Sequence, residues 1–144
     1  MPEFSIESNG MLENTVVYYN GEQLRGVREV FLNLDEEGAF DAILQYQGTD
    51  DQLYTKNVLV DFLENVATTD PTFTEEEAQQ MTQLMLASDG SLETTSVILN
   101  NEEQVGVVSL LVHIKAPQEG DRPEFKAEIT YREEDGRLTT EGVF

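Results

Sequence analysis

The stretch VREVFLNLDEEGAFDAILQY, residues 27–46, carries the pattern that decides the fold. Apolar residues recur at every second position on both sides of a turn that runs from Asp35 to Gly38. Alternation with a period of two around a glycine-containing turn is typical of an antiparallel β-hairpin. The apolar set comprises Val30, Leu32, Leu34, Phe40, Ala42, Leu44 and Tyr46. These side chains are predicted to share one face and to point into the core.

A second stretch, residues 107–131, repeats this pattern with five additional residues in its turn. When residues 8–35 are shifted by eighty positions onto residues 88–115, ten of the twenty-eight positions are identical. Ordinary composition would give about one or two such matches by chance. After the longer turn the offset becomes eighty-five and matches continue to Val143. The sequence therefore predicts an internal duplication, the alternative being two similar but unrelated hairpins.

The predicted fold is α+β, mainly antiparallel β, and is built from two duplicated four-stranded meanders. Their strands are expected at 12–19, 24–34, 40–46 and 52–58, and again at 92–99, 104–115, 124–132 and 137–144. Phe4 and Ile6 alternate ahead of them and indicate one more short strand. The two meanders are expected to pack as a pseudo-two-fold sandwich or to close into a barrel. Bulky inward residues predict that a barrel of this kind would be filled, with ligand carriage as the minor alternative.

Between the two copies the apolar spacing changes from a period of two to the period of a helix. The first helical set is Leu59, Phe62, Leu63 and Val66, and the second is Ala78, Met81, Leu84 and Met85. Thr74 with Glu77 three residues later forms a capping-box pattern that predicts the start of the second helix. A helical hairpin over 60–87 is therefore predicted to join β repeat one, 8–59, to β repeat two, 88–144, within one domain, 1–144.

The composition excludes several functions. Twenty-nine acidic residues face eight basic ones, for a net charge of −21, and such a field opposes direct binding to nucleic acid or to anionic membranes. There is no cysteine for disulfide or thiolate chemistry. No apolar segment approaches the length of a membrane span and no basic-then-apolar leader is present, so a cytoplasmic or virion-associated protein is expected.

No catalytic, cofactor-binding or metal-ligating set emerges from the sequence. The single histidine, His113, has no partner at the spacing of a known motif. Pairs of carboxylates occur in predicted turns, where solvated acids are expected, and none has the spacing of a calcium loop. The protein is therefore predicted not to be an enzyme and to need no cofactor.

Apolar residues also occur at the strand positions that should face water in a sheet buried on one side only. They are Val27, Phe31, Ile43, Val107 and Leu111. A covering element must lie over that face, and the candidates are the helical hairpin, another protein or a second copy of the chain. These five residues form the predicted interface.

Residues 17–44 combine an Asn20-Gly21 turn, Gly26-Val27 and an alternating strand that runs into Asp35 and Gly38. This pattern resembles the opening hairpins of small structural or accessory proteins of tailed phages. The resemblance implies an oligomeric, β-rich virion component or accessory protein, and it brings no catalytic residues with it.

The expected function is a non-enzymatic structural or protein-interaction module that binds a protein partner or associates with itself. The alternative is an acidic, DNA-mimic-type inhibitor of a nucleic-acid-binding protein. The outward row Lys126, Glu128, Thr130 and Arg132 is not an acidic stripe of phosphate-like spacing, so the alternative depends on net charge. A third explanation of the acidity is a well-solvated surface suited to a salty medium.

Overall fold

The computed structural model describes residues 2–117, 120 and 122–144, which form two antiparallel β-sheets. Sheet A contains, in spatial order, β10 (Glu102–Glu103), β9 (Ser96–Leu99), β8 (Thr82–Ala87), β1 (Glu3–Ser8), β2 (Thr15–Tyr19), β3 (Glu22–Arg25) and β7 (Ala67–Thr69). Sheet B contains β13 (Leu138–Gly142), β12 (Glu124–Arg132), β11 (Val107–Lys115), β4 (Val27–Asp35), β5 (Phe40–Gln47) and β6 (Leu53–Asn57). The helical elements are α1 (Glu75–Gln79) and two single 3-10 turns at Leu12–Asn14 and Leu92–Thr94.

The inner faces of the two sheets share one hydrophobic core. Phe4 and Ile6 from sheet A belong to the same buried cluster as Leu32 and Leu44 from sheet B. The prediction of a mainly antiparallel β fold is thus confirmed, and so is the short strand at Phe4 and Ile6. Both sheets end in edge strands, so the alternative of a closed barrel is wrong.

The hairpin that opened the sequence analysis forms β4 and β5. Asp35 Oδ1 accepts hydrogen bonds from the backbone N–H groups of Glu37 and Ala39, both at 3.0 Å, and Gly38 adopts a φ of 113°. The hydrogen bonds that form this turn are therefore local, and the turn can be predicted from its own residues. The second hairpin forms β11 and β12, but its predicted turn at 116–123 includes residues 118, 119 and 121, which lie outside the described part of the chain.

The predicted four-stranded meanders are wrong because each copy divides its strands between the two sheets. The strand expected at 24–34 is broken at Gly26, whose φ is +79°, and the chain crosses there from β3 in sheet A to β4 in sheet B. Gly106, with a φ of +72°, makes the corresponding crossing before β11. Glycine tolerates a positive φ because it has no side chain, so it allows the chain to turn from one sheet into the other at both positions.

The first predicted helix, around residues 59–66, is absent and a series of turns takes its place. Asn57 begins them by accepting the Leu59 N–H with its side chain at 3.0 Å. Leu59 and Leu63 are buried, whereas Phe62 is 81% exposed. The helix-like spacing arises because successive turns direct Leu59 and Leu63 into the core cluster without forming a helix.

The second predicted helix is one short helical segment, α1, followed by a strand. Its capping box is confirmed, since the Thr74 side chain accepts the Glu77 N–H and Glu77 accepts the Thr74 N–H. The helix ends at Gln79, and residues 82–87 form β8. Leu84 and Leu86 are buried, alternate with partly buried neighbours and pair with β1, so a period of two prevails over the helical spacing of Met81, Leu84 and Met85. The helical hairpin prediction is therefore wrong.

The strand order of residues 3–57 recurs in residues 82–142. The strands β1 to β6 correspond in order to β8 to β13, and each 3-10 turn lies between the first and second strand of its set. The two sets meet at the centre of both sheets, where Ser5 lies opposite Met85 and Leu32 opposite Val112. Each of these facing pairs differs by eighty positions, the same offset that aligns the sequence.

Candidate interaction surfaces

The outer face of sheet B is the solvent side of its four central strands. It is formed by the outward residues Glu29, Phe31 and Asn33 of β4, Asp41, Ile43 and Gln45 of β5, Ser109, Leu111, His113 and Lys115 of β11, and Glu124, Lys126 and Glu128 of β12. These positions alternate with the buried row because successive side chains of a strand point to opposite faces. Each of these side chains keeps some exposure to solvent, and none of them is fully buried.

An apolar centre occupies the middle of the outer face of sheet B. Phe31 lies directly opposite Ile43 on one side and His113 on the other. The rings of Phe31 and His113 meet edge to face, with centroids 5.8 Å apart and planes at 90°. Leu111 lies one row away on β11. Three of the five residues predicted as an interface, namely Phe31, Ile43 and Leu111, therefore lie together on one outward face, where each is partly buried.

The other two predicted interface residues, Val27 and Val107, face the core, so their outward placement was wrong. The pairing register shifts between Val27 and Glu29 on β4, and again between Val107 and Ser109 on β11. Each shift marks a β-bulge, which adds one residue and turns the side chains before it to the opposite face. Both valines consequently pack against the buried cluster.

Charged side chains of both signs surround this apolar centre. His113 Nε2 lies 2.5 Å from Glu29 Oε2. Lys115 stands opposite Glu29 on one neighbouring strand and Glu124 on the other, and Lys126 stands opposite His113. Cations and carboxylates therefore alternate across the strands, an arrangement that stabilises a sheet surface and lowers its net field.

The outer face of sheet A differs because a chain segment covers it. This segment, called the strap, comprises residues 70–81 and includes α1. Gln23 holds it with two hydrogen bonds, one donated by its Nε2 to Thr72 Oγ1 at 2.7 Å and one accepted by its Oε1 from Thr72 N at 2.8 Å. Gln23 and Ser5 are buried although they point outward from the sheet.

Glu7 lies at the edge of the strap and has an unusual environment. Its Oε2 atom is buried and has no hydrogen-bond partner among the described residues, and burial raises the pKa of its carboxyl group above the usual value. The pKa of Tyr18 is raised as well, first by burial and then by the charge of Glu7. Because the folded state has the higher pKa, ionised Glu7 lowers stability at neutral pH, and this cost disappears as the pH falls.

A hollow of about 470 Å³ adjoins Glu7 and is lined by Glu75, Gln83 and Asn100 among others. The sequence analysis missed Glu7 because nothing in the alternation of β1 shows that the strap, more than sixty residues away, returns over that face. An acidic residue beside two buried strand residues was the available signal, and it is indistinguishable from an ordinary solvated outward position.

Charge is segregated between the two sheets. Residues 1–24 and 57–114 contain fourteen acidic residues and no lysine or arginine. These two ranges supply β1, β2, β7, β8, β9, β10 and the strap. Sheet A and its cover are therefore almost purely acidic, with Arg25 at the end of β3 as the exception, whereas the other seven basic residues belong to sheet B and its connections.

No group of three or more histidine, cysteine or acidic side chains is arranged to hold a metal ion within the described ranges. In the same part of the chain, no helix has the length and apolar character that a membrane crossing would require. Comparison of the chain with protein-family models, with curated proteins and with solved structures found no match.

Proposed function

We propose that the protein is a non-enzymatic interaction module that associates with a second copy of itself through the outer face of sheet B. The observation that supports this proposal is the apolar centre formed by Phe31, Ile43 and Leu111, whose side chains point outward from sheet B and are only partly buried. Contiguous apolar surface on a soluble protein commonly marks a site of protein association.

Electrostatics favour a second copy at this face over any other contact between copies. Two molecules of net charge −21 repel each other strongly. On the outer face of sheet B, Lys115 and Lys126 lie among the carboxylates and reduce this repulsion locally. The outer face of sheet A offers no such relief because its strands carry almost no basic residue. Two copies can therefore approach most closely through sheet B.

The size of the face implies weak association. Four strands spaced about 4.8 Å apart and four outward rows spaced about 6.7 Å apart give a face of about 19 by 27 Å, or about 500 Å² per copy. Stable interfaces bury about 800 Å² per partner. Association is therefore expected at high protein concentration, and salt should strengthen it by screening the repulsion between copies.

Sedimentation equilibrium at increasing protein concentration, in low and in high salt, tests this proposal. Wild-type protein should form a dimer that is more populated in high salt. Phe31→Glu places a charge in the apolar centre and should weaken the dimer at least about tenfold, equivalent to about 1.4 kcal/mol. Phe62→Glu makes the same change at an exposed phenylalanine elsewhere and should leave association unchanged. A wild-type monomer under all conditions, or equal loss in both variants, would contradict the proposal.

We also infer that the two sets of strands arose by duplication of one unit. The support is the agreement of two independent offsets, since ten identities align at eighty positions and the facing pairs Ser5–Met85 and Leu32–Val112 differ by the same number. An antiparallel ladder centred on such a pair relates its two strands by a local two-fold axis. A single ancestral unit would then have paired with a second copy in the way that the two halves pair now.

A second candidate function is the capture of a basic protein by the strap and the outer face of sheet A, as an acidic inhibitor of a nucleic-acid-binding protein would do. Charge segregation supports it, since this side presents acids almost without basic residues. Glu7 Oε2, which has no hydrogen-bond partner within the described ranges and adjoins an open hollow, supports it too, because an incoming ammonium or guanidinium group would satisfy that acceptor.

Displacement of a labelled DNA duplex from purified basic DNA-binding proteins, followed by fluorescence anisotropy, tests the second candidate. The Glu75→Lys, Glu76→Lys double variant should raise the concentration needed for displacement at least about tenfold. The Glu133→Lys, Glu134→Lys double variant changes net charge equally but lies next to β12, and it should behave as wild type. If both double variants weaken displacement equally, the net charge of the protein and not this surface is responsible. Failure to displace DNA from any of the proteins would exclude the function.

A further inference from the structure

A cleft of about 410 Å³ opens beside the crossing from β3 to β4 and is separate from both surfaces described above. Its walls are mostly apolar and include Leu12, Val17, Leu24 and Val30 from the first half of the chain. Ile114 from β11 contributes another wall. The volume lies within the range of about 300–1,000 Å³ that is typical of small-molecule sites.

The second half of the chain contains the counterpart of this cleft. Leu92, Val97 and Leu110 line it at positions eighty residues after Leu12, Val17 and Val30. Its volume is only about 180 Å³, below the usual size of a ligand site. Two related clefts thus exist in one molecule, and the larger one differs in ways that can be named residue by residue.

The chemical difference between the clefts is Arg28. It lines the larger cleft, whereas Val108 occupies the corresponding position in the smaller one. The Arg28 guanidinium donates a hydrogen bond from Nη2 to the neutral Gln47 Oε1 at 3.0 Å, and it has no carboxylate partner among the described residues. By contrast, Arg132 donates to both carboxylate oxygens of Glu36.

An arginine with no acidic partner in the described part of the chain is unexpected in a sequence of twenty-nine acids and eight bases. A guanidinium group that lines an apolar cleft retains donors suited to a carboxylate, which it can bind through two parallel hydrogen bonds. Among the described residues that line the cleft, Glu13 is the one that carries a carboxylate, and it is solvent-exposed. Its repulsion of an anion is therefore screened by water and salt.

We propose that the larger cleft binds an apolar carboxylate, with a hydrocarbon chain between the two sheets and its carboxylate on Arg28. The apolar walls remove the chain from water, which contributes about 0.8 kcal/mol for each buried CH₂ group. Arg28 then selects an acid over a neutral molecule of the same shape. The smaller cleft lacks both the space and the cation, so one molecule of ligand binds per chain.

Isothermal titration with decanoate and with its neutral analogue decanol tests this site. Wild-type protein should bind one decanoate per chain saturably, and more tightly than decanol. Arg28→Val installs the residue of the smaller cleft and should weaken decanoate binding at least about tenfold while leaving decanol binding unchanged. If decanoate and decanol lose affinity equally, or decanoate loses none, the role of Arg28 is wrong.

Two tryptophan variants locate the hydrocarbon chain. Leu12→Trp fills the larger cleft and should abolish saturable decanoate binding, whereas Leu92→Trp makes the same change in the smaller cleft and should leave binding within about twofold of wild type. Thermal unfolding monitors the fold of each variant, and Ala116→Phe in the same lining replaces Leu12→Trp if that protein does not fold. Wild-type binding in the filled variant, or no saturable binding by wild type, would overturn the proposal.

Discussion

A Gly26→Ala variant is expected to lose about 2–5 kcal/mol of its free energy of unfolding. Gly26 has a φ of +79°, where a residue with a side chain is disfavoured by about 1–2 kcal/mol. A Cβ atom there would also stand 2.8 Å from the backbone oxygen of Gln47 on β5, and such overpacking costs about 1–3 kcal/mol more. Urea unfolding monitored by circular dichroism measures the loss as a lower midpoint.

Two other glycines provide matched controls for this variant. Gly21 has a similar φ of +85°, but a Cβ atom would meet nothing within 4 Å, so Gly21→Ala should show only the backbone cost. Gly106 makes the equivalent crossing in the second half, where a Cβ would lie 3.2 Å from the Arg132 oxygen. Destabilisation by alanine is expected to increase from Gly21 to Gly106 to Gly26. Equal losses of unfolding free energy at Gly21 and Gly26 would show that the close approach of the Gln47 oxygen to Gly26 is not important.

A Leu32→Ala variant is the second change with a large expected effect, about 2–5 kcal/mol of unfolding free energy. Leu32 is fully buried and lies opposite Val112 at the centre of sheet B. Removing three carbons there leaves a cavity that the two packed sheets cannot collapse around, so both the transfer energy and the lost packing contribute.

The adjacent residue is the control for Leu32→Ala. Phe31 lies on the same strand but points outward and is half-buried, so Phe31→Ala should lose mainly its edge-to-face contact with His113, worth about 0.5–1.5 kcal/mol. The same urea experiment applies to both variants. A larger loss for Phe31→Ala than for Leu32→Ala would contradict the inward and outward placement of this strand.

The hairpins of sheet B could be predicted from the sequence because their information is local. The residues on both sides of the Asp35 turn alternate without interruption, and the turn itself is made by side chain to backbone hydrogen bonds within five residues. The Thr74 capping box was readable for the same reason. In each case the residues that define the structure are also its neighbours in sequence.

Features that depend on distant parts of the chain could not be predicted. The helical spacing of Met81, Leu84 and Met85 gave a wrong helix because β1, almost eighty residues earlier, provides a strand edge for residues 82–87 to pair with. The bulges next to Val27 and Val107 turned the side chains of these two predicted interface residues toward the core. The single residue that a bulge adds leaves no recognisable pattern in the sequence. To predict that Arg28 lines a cleft would have required the strand register of both sheets. The resemblance of residues 17–44 to phage accessory proteins stays a prediction.

The pairing of the two halves at the centre of both sheets also determines how the chain must fold. The central strands of sheet A are β1 and β8, and those of sheet B are β4 and β11, so neither half of the chain contains a complete sheet. Asp35 meets Ser109, and Glu3 meets Ala87, across more than seventy residues of intervening chain. The entropy of closing these long loops must be overcome before the central ladders can form. We therefore expect the central ladders to form after the local hairpins, and folding to take about milliseconds to seconds, as is typical of such non-local β proteins.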